Sequence, residues 1–268
     1  RSARELSLQK PIVLLTGGQT RAGNRAASSH TGAMATDQRV FDAVCRQAGI
    51  LQVKHSMDLL DLAAALTALP LPAGKRVAIM TLGGGWGVVT TDLCDRHGLE
   101  IPALTTDLVE EIDKLLPPYW SRGNPIDLVG DNDPSVPLKL MESLLRWEGC
   151  DAVIHLGIMG RRGFIEKLME AVKRCDPTTS DELSRGAVDL IAAFEGDYIK
   201  QIAGLMDRYA KPVVGVSLMK DGRDKTVYEV AGAKHKTIFY ETPERAVKAL
   251  SQMVSYRRFR RRCEDTTK

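Results

Sequence analysis

Val77-Ala78-Ile79-Met80-Thr81-Leu82-Gly83-Gly84-Gly85-Trp86-Gly87-Val88 passes from a short apolar run through a glycine cluster into a segment of helical period. An unbroken apolar run bounded by glycines reads as a strand buried on both faces, which is the habit of parallel sheets. From Val88 to Arg96, Val88, Leu93 and Cys94 share one face, and Gly98 follows as a helix-ending residue. The same unit recurs along the chain. Ile12–Leu15, Ala152–Leu156 and Val213–Val216 are further buried runs, each followed by helical periodicity. Strands alternating with helices predict an α/β protein with parallel sheets.

Two Lys-Pro junctions, Lys10-Pro11 and Lys211-Pro212, expose a weak internal repeat. From Lys10 the order is strand, polar loop, a small-residue segment, a strand near Ile50–Val53 and a closing helix over Leu59–Leu69. From Lys211 it is strand, polar loop, a strand over Thr237–Tyr240 and a closing helix over Glu244–Val254. The second unit has two further strand units ahead of its Lys-Pro, and the first has none. A pair of strands with helices buries too little apolar surface for a stable domain. The expected organisation is therefore a first domain over 1–70 that is N-terminally incomplete, a linker over 70–74, a second domain over 75–256 and a basic tail over 257–268.

The composition excludes several classes. The 268 residues are 44% hydrophobic and 26% charged, with a net charge of +3, which implies neither a nucleic-acid nor a membrane partner. No run reaches the length of a membrane span. Five scattered cysteines without a C-x-x-C pair argue against a disulfide framework or a zinc site and for a reducing cytoplasm. The run Tyr256-Arg257-Arg258-Phe259-Arg260-Arg261-Arg262 reads as the solvated end of a last helix. His55, His97, His155 and His235 lack metal-ligand spacing; His155, inside an apolar run, reads as a core residue with a satisfied hydrogen bond.

Three segments could carry chemistry. In Gly17-Gly18-Gln19-Thr20-Arg21-Ala22-Gly23-Asn24-Arg25-Ala26-Ala27-Ser28-Ser29-His30-Thr31-Gly32-Ala33, a small-residue loop ends at a histidine just before a helix expected over Ala33–Ala48. Free N–H groups at that helix start suit phosphate, and a neutral imidazole nitrogen can attack phosphorus. On the residues alone, His30 is equally readable as a loop histidine beside a helix cap. Gly83–Gly87 makes an anion cradle by the same physics, or a glycine turn used for close packing. Its spacing is a poor dinucleotide fingerprint, which disfavours a dehydrogenase. Asp127, in Asn124-Pro125-Ile126-Asp127-Leu128, could face the same crevice, although Asn and Asp are ordinary loop formers.

Lys10-Pro11-Ile12-Val13, Gly17-Gly18, Ala26–Ala33, Arg76–Ile79, Gly83–Gly87 and Asn124–Leu128 together resemble the NDP-forming acyl-CoA synthetases of the succinyl-CoA synthetase superfamily. The resemblance spans nearly the whole chain and implies two flavodoxin-like, succinyl-CoA synthetase-type domains. It implies the α-type subunit of an ADP-forming acetyl-CoA synthetase or a close relative, an acid–thiol ligase. The reaction is acyl-CoA, phosphate and NDP giving acid, CoA and NTP through an acyl phosphate and a phosphohistidine. His30 matches the phosphorylated histidine. Ser29, Thr31, Gly32, Gly83, Gly84, Gly85 and Gly87 match phosphate-binding positions, with Asp127 nearby. The same resemblance implies CoA and ADP or ATP with Mg as substrates of the full enzyme, none held tightly by this chain alone. It implies a CoA-binding Rossmann domain and an ATP-grasp domain as partners, an oligomer, and no turnover by the isolated chain. Two departures stand out: Thr81-Leu82 precedes the glycines where relatives have an Asn-Ala or similar pair, and bulky Trp86 is expected to narrow the cradle. The alternative they leave is a non-catalytic, acyl-CoA-sensing module of the same superfamily.

Overall fold

A computed structural model describes residues 2–31, 37–130, 133–220 and 222–266; the side chains of Ser28, His30, Thr31 and Thr266 lie outside the description. In chain order the first part contains α1 (Ser2–Gln9), β1 (Ile12–Leu15), α2 (Arg21–Thr31), α3 (Gln38–Ala48), β2 (Ile50–Val53) and α4 (Ser56–Ala68). The second begins with β3 (Val77–Thr81), α5 (Gly84–Arg96), α6 (Thr106–Ile112), β4 (Ile126–Asp127) and α7 (Val136–Arg146). It continues through β5 (Ala152–Leu156), α8 (Arg161–Cys175), α9 (Asp181–Tyr209), β6 (Val213–Val216), β7 (Val227–Tyr228), β8 (Thr237–Tyr240) and α10 (Pro243–Thr266).

The strands sort into two sheets. β1 and β2 pair in parallel, Ile12 opposite Ile50 and Leu15 opposite Val53. The second sheet has the order β4-β3-β5-β6-β8-β7, parallel except for the short β7. Leaving β7 aside, its first strand lies second, which is the flavodoxin-like order. Every residue of β3, β5, β6 and β8 is buried, as apolar runs covered by helices on both faces require. In β1, by contrast, an equally apolar strand is only partly buried, and Leu15 is exposed.

The closing helices of the two halves, α4 and α10, pack against each other and join the sheets. Arg245 of α10 forms a two-pronged ion pair with Asp61 of α4, Nε to Oδ2 and Nη2 to Oδ1, both 2.7 Å. The Tyr240 hydroxyl donates to the Asp61 carbonyl at 2.8 Å. The basic run lies in the last helix with Arg258, Arg261 and Arg262 exposed, as expected, but α10 also buries Tyr256, Phe259 and Cys263 within it, at its first-domain side. Tyr256 donates to the Ser7 carbonyl of α1 at 2.8 Å. Gly49, at φ 73°, lies so close to Phe259 that a Cβ there would stand 2.2 Å from the ring. The periodicity reading missed this because apolar residues at 256, 259 and 263 are separated by arginines that dominate the local composition.

His155 also differs from expectation. It is 1% exposed, flanked edge-on by Tyr198 and Phe239, and its Nδ1 has no hydrogen-bond partner. Tyr198, which meets it from α9, is equally buried with an unpartnered hydroxyl.

Candidate functional site

The segment read as a loop ending at His30 is largely helical. Thr20 caps α2 by accepting from the Gly23 amide at 3.1 Å, and alanines and arginines then carry the helix to Thr31. His30 therefore stands in the last turn of α2, whose carbonyl end favours positive rather than negative charge. The next helix, α3, starts at Gln38 rather than at position 33. Its first turn is capped by Asp37, whose carboxylate accepts from the Arg39 amide at 2.8 Å. The signal was in the sequence: an aspartate two residues ahead of Arg39, just before the apolar spacing of α3. The Ser29 hydroxyl, expected to meet phosphate, donates to the Arg25 carbonyl at 3.0 Å. Gly32 lies outside the described residues, as do the side chains of His30 and Thr31.

The glycine turn is a helix start, as expected. Gly83 is the N-cap of α5 in extended conformation, with no side chain capping the helix. Thr81 fixes the turn, its hydroxyl accepting from the Gly83 amide at 3.1 Å and donating to the Gly83 carbonyl at 2.8 Å. Trp86 and Gly87 turn their amides back to the Gly83 carbonyl. Gly84 and Gly85 are exposed, and first-turn amides have no intrahelical acceptor. A Cβ on Gly83 or Gly85 would meet nothing within 4 Å. An open helix start of this kind could seat an anion.

The other members divide. Asp127, at the end of β4, belongs to the seat: a Cβ on Gly84 would stand 2.9 Å from its Oδ2. Its Oδ1 accepts from the Val129 amide at 2.9 Å. Gly87 is buried and packs, since a Cβ there would lie 3.0 Å from Pro125 and 3.1 Å from the Thr81 methyl. Asn124 is structural: its amide group accepts from Ile79 N and donates to the carbonyls of Val77 and Pro102. Trp86, half-buried, stands just past the exposed glycines. Its ring leans over Gly157 at the ends of β3 and β5, beside Leu82 and Leu218. That is the end of the sheet at which a flavodoxin-like fold opens its usual crevice. Helix α5 packs mainly on β3, β4 and α10, and the structure joins Gly84 with Asp127; the side chain of His30 lies outside the described residues.

Among the described residues no group of His, Cys, Asp and Glu could hold a metal, and no helix is long and apolar enough to cross a membrane.

Two family models match the chain: a succinyl-CoA ligase like flavodoxin domain over residues 1–66 and a ligase-CoA domain over residues 77–174. The chain is 39% identical over 157 residues to the alpha subunit of the ADP-forming acetate–CoA ligase II of Pyrococcus furiosus, covering 59% of this chain and 34% of that one. Over 242 residues it is 28% identical to the ADP-forming 4-hydroxybutyrate–CoA ligase of Nitrosopumilus maritimus, covering 87% and 34%. The acetyl-coenzyme A synthetase 1 of Candidatus Korarchaeum cryptofilum, solved with phosphate and ADP, superposes with a TM-score of 0.72 at 29% identity. That match covers 99% of this chain and 51% of the solved one. The chain thus spans about a third of the length of these curated relatives.

Proposed function

The chain belongs to the NDP-forming acyl-CoA synthetase family, and on that premise we propose that it is the phosphohistidine-bearing portion of such an enzyme. In the proposed cycle, phosphate displaces CoA from acyl-CoA to give an acyl phosphate and free CoA. A His30 ring nitrogen then takes the phosphoryl group as the P–O bond to the acid breaks, releasing the acid. ADP finally accepts that group, giving ATP and regenerating neutral His30. CoA, ADP and Mg act as substrates and counterion of the intact enzyme.

The observation that carries this reading is the exposed first turn of α5 with Asp127 alongside. A phosphohistidine offers two kinds of group, phosphoryl oxygens and a ring N–H. The Gly84 and Gly85 amides suit the first, and the Asp127 carboxylate accepts the second. Such preorganised dipoles and positioning do most of the work of phosphoryl transfer. His30 lies at the end of α2 in the other unit, from which it would reach the seat in the intact enzyme.

The state of β1 supports the proposal that the first domain is completed by other parts of the protein. Its apolar residues are half-buried and, among the described residues, pair on one side only. The remaining catalytic parts, a CoA-binding domain and an ATP-grasp domain, would then be supplied elsewhere, and this chain alone would not turn over.

The test is labelling of the intact protein with γ-phosphate-labelled ATP. An acid-labile, base-stable label is expected in the wild type and none in His30→Ala. A His30→Ala protein that labels equally well overturns the assignment. A wild type that binds acyl-CoA yet never labels points to the sensing module instead.

A further inference from the structure

Val129, two residues past Asp127, stands in a conformation that valine rarely takes. Its φ is 46°, in the left-handed region, and Gly130 follows at 74°. Glycine and asparagine enter that region readily, whereas a β-branched side chain there crowds its own backbone. Among the described residues, Arg122 and Ala210 are the other non-glycine residues with positive φ, and neither is β-branched. Each has a local reason: Ala210 ends α9, and the Arg122 guanidinium is held by Asp113.

A strained backbone persists only where its surroundings hold it, and such residues gather at functional sites. The Val129 side chain is half-buried and packs against the core. Its neighbour Leu128 is buried and donates its amide to the Thr81 carbonyl at 2.9 Å. Thr81 is also the residue whose hydroxyl fixes the glycine turn, so one residue of β3 sets both the start of α5 and the Asp127 loop. The Val129 amide in turn donates to Asp127 Oδ1 at 2.9 Å. Oδ2 is then the oxygen turned to α5, where a Cβ on Gly84 would lie 2.9 Å from it. A free aspartate side chain rotates about its single bonds; this one is held in one orientation.

We propose that Val129 is a positioning residue for the reaction given above. Its packed side chain holds the left-handed backbone, the backbone delivers an amide to one oxygen of Asp127, and the other oxygen is thereby presented to the first turn of α5. Val129 itself touches no substrate. Glycine or asparagine would make the same turn with less strain, but neither offers an apolar branch to anchor the loop on the core. Phosphoryl transfer depends on such placement, since a shift of ~1 Å can cost about a hundredfold in rate. The inference rests on the role assigned to Asp127.

Val129→Gly in the intact protein tests it, with Val129→Ile as the conservative variant. Hydrogen exchange at the amide of position 129, corrected for intrinsic rates, should show protection at least tenfold lower with glycine and unchanged with isoleucine. Labelling from ATP should reach a maximal rate at least tenfold lower in Val129→Gly, at an unchanged half-saturating ATP concentration. Val129→Ile should label within about twofold of the wild type. In an Asp127→Asn background, Val129→Gly should add no further loss, because the valine acts through that carboxylate. Equal protection in the two variants, wild-type labelling by Val129→Gly, or an undiminished further loss in the Asp127→Asn background each overturns the proposal. A wild type that never labels sinks the phosphohistidine reading instead, and the exchange measurement still decides whether Val129 holds Asp127.

Discussion

A protonated imidazole at position 155 would have nowhere to place its charge. The ring is enclosed by Tyr198 and Phe239, with Gly215 beside it on β6, and burial pushes its pKa down to about 3. The unfolded value is near ~6.5. Between those two values the unfolded chain holds a proton that the folded chain excludes. The contribution of neutral His155 is therefore complete above the unfolded value and is lost as pH falls toward 3, by up to ~1.4 kcal/mol per pH unit. Urea midpoints at pH 7 and pH 5 should differ more in the wild type than in His155→Leu; equal differences would rule this out. Tyr198→Phe removes a buried hydroxyl that has no partner, so stability should hold or rise by about 1 kcal/mol, read from the same midpoints. At the anion seat, Gly84→Ala brings a methyl to 2.9 Å from the Asp127 carboxylate. Labelling of the intact enzyme should slow at least tenfold with little change in melting temperature, and unimpaired labelling would remove the seat from the reaction.

Between elements, Asp61 of α4 is tied to Arg245 of α10, with side chains 6% and 18% exposed. Asp61→Ala would leave a largely buried guanidinium with Glu241 as its remaining partner, at a cost of about 3 kcal/mol. Adding Arg245→Met should recover much of that loss in a double-mutant cycle; simple additivity would mean that the pair is uncoupled. Elements were legible in the sequence where one local rule governed them. β3 and β5 were plain because a fully covered strand is apolar at nearly every position, and α5 because glycines mark its start. α2 was not, since its alanines, glycine and serines look like a loop unless Thr20 is recognised as its cap. The Asp61–Arg245 pair was invisible for another reason: its partners are 184 positions apart. Asp127 and Gly84 were both singled out, but only the fold brings the carboxylate to the helix start.

At the scale of the molecule, α10 holds the two sheets together. Gly49 is its narrowest contact, combining a left-handed backbone with a ring where a side chain would be. Gly49→Ala should lower stability by roughly 2 kcal/mol, through backbone strain and overpacking, in a thermal melt. A matching Phe259→Leu substitution should restore part of it, and no restoration would place the cost in the backbone alone. The wider architecture was readable from alternation and from the two Lys-Pro junctions. What joins the halves was not, because the apolar residues that do so hide within a run of arginines.

That arrangement also sets an order in time. A ribosome releases α1 and Gly49 before the second sheet, but the helix that covers them is made after it; Tyr256 reaches Ser7 across 249 positions. The first unit must wait, with its apolar faces open, until α10 has been made. Such long-range closure is slow, and the nascent chain is vulnerable until it happens. A ribosome stalled before residue 243 should hold a folded second sheet core and a protease-sensitive first unit.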